Sequence, residues 1–370
     1  MSIIKIPSLF DMHVHLRDPG FTYKEDIITG TAAALAGGFS GVACMPNTNP
    51  PIDNADTINY ILDKAKNTGV EVYPVACITK GMKGEELTDF KALKQAGAIA
   101  VSDDGRPVEN LKLMEMALIS AYENNLPIIS HCEDLAIVNG GVINKGFVSE
   151  DLGVKGIDRL SEDSVTAREI ALAQKTNTKI HIAHVSTYGS VEIIRNAKRN
   201  GVKVTCETCP HYFMLTEQVL LKKDADYRMN PPLRTEKDVK AIIEGIIDGT
   251  IDCIVTDHAP HSPQEKSNFL TAPNGVIGLE TSFAATLTAL YHTGLVTINK
   301  IVELMSTNPR KILNLPKTEK YITVDLDEEW VVDVNNFKSK SRNSCFKNTI
   351  LKGQVASACV SHHSLTRLYP

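Results

Sequence analysis

The feature that most constrains this chain is a rhythm: a short apolar run, a polar turn, then an amphipathic stretch of helix length, repeated along most of the sequence. The runs are GVACM (41–45), VEVYPVACI (70–78), AIAV (98–101), LPIIS (126–130), KIHIAHV (179–185), VKVTCE (202–207) and IDCIVT (251–256). The opening IIKIPSLFDMHVH, read as one strand, makes eight. Between them, KEDIITGTAAALAGG stops at a Gly-Gly pair, DTINYILDKAKNTG at Gly69 and TEKDVKAIIEGIIDG at Gly249, while SEDSVTAREIALAQKTN offers Ser161 as an N-cap. Strands alternating with helices imply a parallel sheet, and eight is the number that closes a barrel. An open doubly wound sheet would carry a Gly-rich phosphate loop after its first strand; Gly37-Gly38 instead precedes a strand. The expected fold is therefore α/β, a (β/α)8 TIM-type barrel.

After about residue 315 the texture changes. ITVDL, WVVDV and ILKGQVASACV read as short β segments around the polar KSKSRNS, and the final SHHSLTRLYP has no clear pattern. The division expected is a barrel over 1–314, a small, reduced β appendage (a partial sandwich) over 315–360 and a tail over 361–370.

Composition narrows the function classes. A net charge of −5 without a Lys/Arg stripe argues against nucleic acid or an anionic membrane surface as partner. There is no apolar run of membrane-spanning length and no signal-peptide layout at the N-terminus. The eight cysteines sit in apolar stretches, as reduced thiols do. A cytoplasmic enzyme is expected.

A barrel places its catalytic residues at the C-terminal strand ends. His13 and His15 close the first run, and residues two apart on a strand share a face, so both can reach one metal. Asn47 follows the second run, Asp103 and Asp104 the fourth; His131 ends the fifth, His184 the sixth and Asp257 the eighth. Any one such histidine is more often a hydrogen-bonded rim residue than a ligand. The convergence of the whole set on one barrel mouth is harder to attribute to chance. By strand alternation His181 turns to the face opposite His184, and His258 away from Asp257. His211 reads as supporting or structural, His292 lies late in a helical stretch, and His362 and His363 are in the tail. Cys206 and Cys209 form a lone C-x-x-C, read as strand-end packing. Imidazoles with carboxylates suit zinc or a similar divalent ion, and two metals sharing a carboxylate would use the whole set. That is hydrolytic chemistry at an acyl or amide carbon.

DMHVHLRDPG, MPNTNPPID, SDDGRPV, HCED, HVST, RMNPPLR and TDHAPH, in this order, resemble the type I dihydroorotases of the amidohydrolase superfamily. The resemblance runs from about residue 7 to about 313, and more weakly through EEWVVDV, FKSKSRNS and LKGQVA. It implies two zinc ions per subunit, His13, His15 and Asp257 on one and His131 and His184 on the other, bridged by a hydroxide and a carboxylate. Many superfamily members bridge with a carbamylated lysine; here SDDG stands at that place, which implies Asp104 or, less favoured, Asp103. Asp257 would also move the proton between the bridging water and the ring nitrogen. The substrate carboxylate would meet Arg17, Asn47 and His261, with His15 alongside. Asn230 and the backbone around Asn274 and Gly275 would contact the ring, although many relatives carry a larger apolar residue at position 274. Standing alone, Arg17 would pass for a rim ion pair with Asp18 or Glu25; its place beside the metal pair favours the carboxylate role.

Two departures stand out. Relatives usually begin with roughly 45 residues of β structure that this chain lacks, and segment 314–324 is abbreviated. Either the accessory domain is trimmed or the true start lies upstream, and edge strands left open would call for a partner's cover. The implied activity is reversible closure of N-carbamoyl-L-aspartate to (S)-dihydroorotate and water, in de novo pyrimidine synthesis. A homodimer and aspartate transcarbamoylase are the partners considered. The rivals are an allantoinase or hydantoinase, and a non-catalytic partner of aspartate transcarbamoylase.

Overall fold

The computed structural model describes residues 2–361. Its strands are β1 Ile3–Pro7, β2 Leu9–Val14, β3 Phe39–Cys44, β4 Glu71–Ala76, β5 Ala100–Val101, β6 Ile129–Ser130, β7 Ile143–Asn144, β8 Gly156–Ile157, β9 Ile180–Ile182, β10 Val204–Thr208, β11 Cys253–Ile254, β12 Lys320–Val331 and β13 Ile350–Ser361. Two parallel sheets of four strands each, β2-β3-β4-β5 and β11-β10-β9-β6, supply the staves. Single parallel bridges from Val101 to Ile128 and from Val14 to His258 join their edges and close the barrel. The α/β barrel expected from the rhythm is the fold.

Every residue of β2 and β3 is buried, which is why these runs show no polar alternation. Leu9, Phe39 and Val42 pack with helix residues such as Ile58 and Ile61 in one cluster. Phe10 and Met12 of β2, Val75 of β4, Ile129 of β6 and Val255 just after β11 fill another inside the barrel. Two helices are punctuated as read: Ile27–Ala36 stops at Gly37, and Glu236–Asp248 opens on a Thr235/Asp238 capping box and stops at Gly249 with φ 82°, whereas Ala55–Ala65 ends at Lys66, short of the expected Gly69. Ser161 is not a cap. It lies inside helix Leu160–Thr176, and its hydroxyl is engaged by the backbone of Asp134.

The opening run is two strands, not one. β1 ends at Pro7, and Ser8, whose N–H still donates to the carbonyl of Lys320 at 3.0 Å, is the one residue between it and β2. β1 pairs antiparallel with β12, which pairs with β13 in a three-stranded sheet. ITVDL and the first two residues of WVVDV belong to one long strand, β12, with a register shift between Asp325 and Glu329. KSKSRNS is no idle linker. The N–H of Lys340 donates to Glu25 at 3.1 Å, and Asn343 donates to the carbonyls of Ala259 (3.2 Å) and Gly275 (3.0 Å), so this segment seals one side of the barrel mouth. Most of the tail, with His362 and His363, lies outside the described residues.

Candidate active site

Between Asp11 and Val14, β2 advances three residues while β3 advances two, from Val42 to Cys44. Such a bulge re-aims side chains. Asp11, fully buried, holds it: its carboxylate accepts the N–H of His13 at 3.0 Å and that of Thr256 at 3.0 Å. Burial pushes Asp11 up to about 7, against those same hydrogen bonds. The His13 and His15 rings then stand 5.6 Å apart.

Around them the strand ends converge. Asp104 Oδ1 lies 3.4 Å from His13 Nε2, 3.5 Å from His131 Nδ1 and 3.6 Å from His184 Nε2, and Oδ2 lies 3.5 Å from His15 Nε2. Asp257 Oδ1 lies 3.1 Å from His15 Nε2 and 3.7 Å from His13 Nε2. Asp103 turns away, accepting the N–H groups of Ile78 (2.8 Å) and Thr79 (3.1 Å). Asp104 is the aspartate that faces the histidines. Arg17, His184 and Asp257 sit at φ 59°, 32° and 47°, a left-handed strain of the kind that collects at functional sites.

The imidazoles are oriented from behind. His13 Nδ1 meets Glu207 at 2.5 Å, His15 Nδ1 meets Asn47 Oδ1 at 2.8 Å and His131 Nε2 meets Glu133 at 3.0 Å. Each acceptor holds the proton on its side of the ring and leaves the opposite nitrogen a lone pair facing the aspartates. Burial disfavours charge on His13, but Glu207 and Asp104 outweigh it and raise its proton affinity; Asp104 is driven well below the ordinary range despite burial, chiefly by His13.

His181 does not turn away from the centre as strand alternation predicted. His184 leaves extended geometry, and His181 Nε2 meets the same Glu207 at 3.1 Å. Glu207, at the polar end of VKVTCE, escaped the sequence reading although it ends a barrel strand like the other residues of the set. His258, as expected, points elsewhere: its Nδ1 accepts from Gly278 at 3.2 Å. Cys206 and Cys209 are buried free thiols. A Glu207→Ala substitution is expected to weaken metal retention by about 10–100-fold, measured by competition with a chelator of known affinity.

The donor set fits a metal. His13 Nε2 and Asp104 Oδ1 are buried without a hydrogen-bond partner among the described residues, which costs about 1–3 kcal/mol apiece unless something fills the gap. Separations of 3.4–3.6 Å are too long for hydrogen bonds. They match the roughly 3.4 Å edge of a tetrahedron of ligands about 2.1 Å from one ion. His131 Nδ1 and His184 Nε2 meet at 2.8 Å, close enough that a proton or a cation must lie between them. His13–Asp104–His184 and His13–His15–Asp257 form two groups able to hold an ion, sharing His13.

A cavity of about 240 Å³ opens over this set, walled by Arg17, Asn47, Asn230, His261, Asn274 and Gly275. Neither carboxylate suggested as a rim partner takes Arg17: Asp18 is bound by Lys64 at 2.6 Å, and Glu25 faces His258 and Ser339. Arg17 donates Nε to the carbonyl of Pro260 at 3.2 Å. Asn47 spends its oxygen on His15 and aims its nitrogen at Asp104 Oδ2, 3.3 Å away. Burial and the cations Arg17, Lys24 and Lys266 hold His261 neutral, and its Nε2 lies 2.9 Å from the carbonyl of Asn274. Gly275 has φ 137°, and a Cβ there would lie 2.8 Å from that of Ala259, so only glycine fits. Lys266 donates to the carbonyls of Arg228, Pro273 and Gly275 at 3.0–3.1 Å and pins this loop.

A dihydro-orotase-like family model matches residues 3–190. A dihydroorotase of Acetivibrio thermocellus is 51% identical over 98% of this chain and 87% of its own. One of Geobacter metallireducens is 52% identical over 97% and 86%. The chain belongs to the dihydroorotase family. Like other dihydroorotases it is a hydrolase acting on cyclic amides. Among solved structures, the L-hydantoinase of Arthrobacter aurescens superimposes with a TM-score of 0.83 at 21% identity, covering 95% of this chain and 83% of its own. The dihydropyrimidinase of Brevibacillus agri gives 0.82 at 19%, covering 98% and 85%. At that identity the likeness establishes a shared barrel architecture alone. No helix among the described residues is long and apolar enough to cross a membrane.

Proposed function

We propose that this dihydroorotase family member is a zinc enzyme that reversibly cyclises N-carbamoyl-L-aspartate to (S)-dihydroorotate and water, a step of de novo pyrimidine synthesis. One juxtaposition carries the reading: an aspartate facing four imidazoles, beside a half-buried arginine with no carboxylate ion pair among the described residues. The first half calls for a divalent ion and the second for an anionic substrate. His13, His15 and Asp257 would hold one ion and His131 and His184 another, with Asp104 between. Such a pair, when bound, supplies a nucleophilic water at neutral pH and polarises the amide carbonyl.

The chain's own residues do the rest. Arg17 pairs with the substrate carboxylate through its outer N–H groups, and its hydrogen bond to Pro260 fixes the fork in place. Asn230 and the pinned 274–275 backbone align the ring, which converts a bimolecular encounter into a positioned one. Asp257 takes the proton released as water adds to the ring carbonyl and delivers it to the departing ring nitrogen; in cyclisation the transfers reverse. Its carboxyl stays below the ordinary range despite burial, held down by His15 and His13, so it enters the cycle as a base.

The test is metal removal. Chelated protein is expected to lose turnover of carbamoyl aspartate, and full activity is expected to return near two zinc equivalents. Undiminished turnover after complete removal, or none after reconstitution, overturns the reading.

A further inference from the structure

The buried carboxylate of Glu133 stands between two parts of the site. Its Oε2 lies 3.0 Å from His131 Nε2, on the side of that ring away from Asp104. Its Oε1 accepts the side-chain N–H of Asn230 at 2.9 Å. Asn230 in turn forms part of the cavity wall. A carboxylate offers only acceptors, so the nitrogen of Asn230 must be the atom turned towards it. Its oxygen, which bonds to no protein group among the described residues, is then the free end of the amide.

We propose that Glu133 fixes which way round the Asn230 amide faces, so that the cavity presents a hydrogen-bond acceptor to an N–H of the substrate ring. This rests on the proposed reading of Asn230 as a ring contact. A cyclic ureide alternates N–H and C=O around its edge, so reversing one amide turns a match into two opposed donors. Glu133 is thus a positioning residue, holding a metal-facing imidazole with one oxygen and setting ring recognition with the other.

Glu133→Gln separates the two duties. The glutamine must give its oxygen to the His131 N–H, which leaves its NH2 facing Asn230. Asn230 then turns and shows its own NH2 to the ring. Steady-state cyclisation is expected to show KM raised at least ~10-fold, the worth of one hydrogen bond to a buried group, with kcat within ~3-fold and zinc content unchanged. The double substitution Glu133→Gln/Asn230→Asp restores an acceptor on both sides and is expected to return KM to within ~3-fold of the original. A dihydroorotate analogue with a methylene in place of the matched ring N–H checks the unmodified enzyme directly. It is expected to bind ~10-fold more weakly than dihydroorotate, with the difference lost in Glu133→Gln. An unchanged KM in Glu133→Gln, zinc loss as its only defect, or a double variant no better than the single one overturns the proposal. An unmodified, metal-replete protein that turns over neither dihydroorotate nor carbamoyl aspartate overturns the functional reading instead.

Discussion

Asp257→Asn is expected to lower kcat by about 10³-fold, because the proposed mechanism gives this side chain the proton transfer between water and the ring nitrogen. General acid–base catalysis contributes roughly 10²–10⁴-fold on its own, and this carboxylate also faces His15 at 3.1 Å and His13 at 3.7 Å. Asparagine keeps the shape and one oxygen, so the barrel should fold and much of the metal should remain. Zinc content measured alongside kcat separates the two duties. A variant that keeps its zinc and loses activity assigns proton transfer to Asp257. Activity within tenfold of the original would take that role away.

Arg17→Met is expected to raise KM for carbamoyl aspartate by about 100-fold, since a bidentate guanidinium–carboxylate contact combines two charge-assisted hydrogen bonds of about 1.5–3 kcal/mol each, part of which is offset by desolvation. Folding should not suffer. Partial burial lowers the proton affinity of Arg17, and none of the described carboxylates is ion-paired to it, so its removal breaks no salt bridge. Arg17→Lys should recover little, because an ammonium cannot reproduce the planar fork. Zinc content should hold. An unchanged KM in Arg17→Met, measured against an unchanged melting temperature, refutes the carboxylate role.

The barrel was readable in the sequence because parallel strands buried on both faces leave unbroken apolar runs, and LPIIS or IDCIVT can be counted directly. The residues that meet at its mouth were readable for a related reason. A polar side chain at the end of such a run can point only to a few places, and topology brings those ends together. What stayed hidden depends on contacts remote in sequence. Glu207 meets His13 across 194 positions, and Asn343 reaches Gly275 across 68. Nothing local marks either as a supporting group. His181 was misplaced because alternation assumes extended backbone up to His184, whose φ is 32°. The opening strand was misjudged because IIKIPSLFDMHVH holds no local turn signal, while what sets β1 apart from β2 is its pairing with β12, more than 300 residues away.

The most direct test of the account is a turnover assay of the zinc-reconstituted protein with dihydroorotate, allantoin and a hydantoin side by side. The geometry of Arg17 over the metal-facing set predicts kcat/KM for dihydroorotate at least ~100-fold above either neutral ring, the worth of a guanidinium–carboxylate contact that neither rival can make. A preference for allantoin or the hydantoin would contradict it.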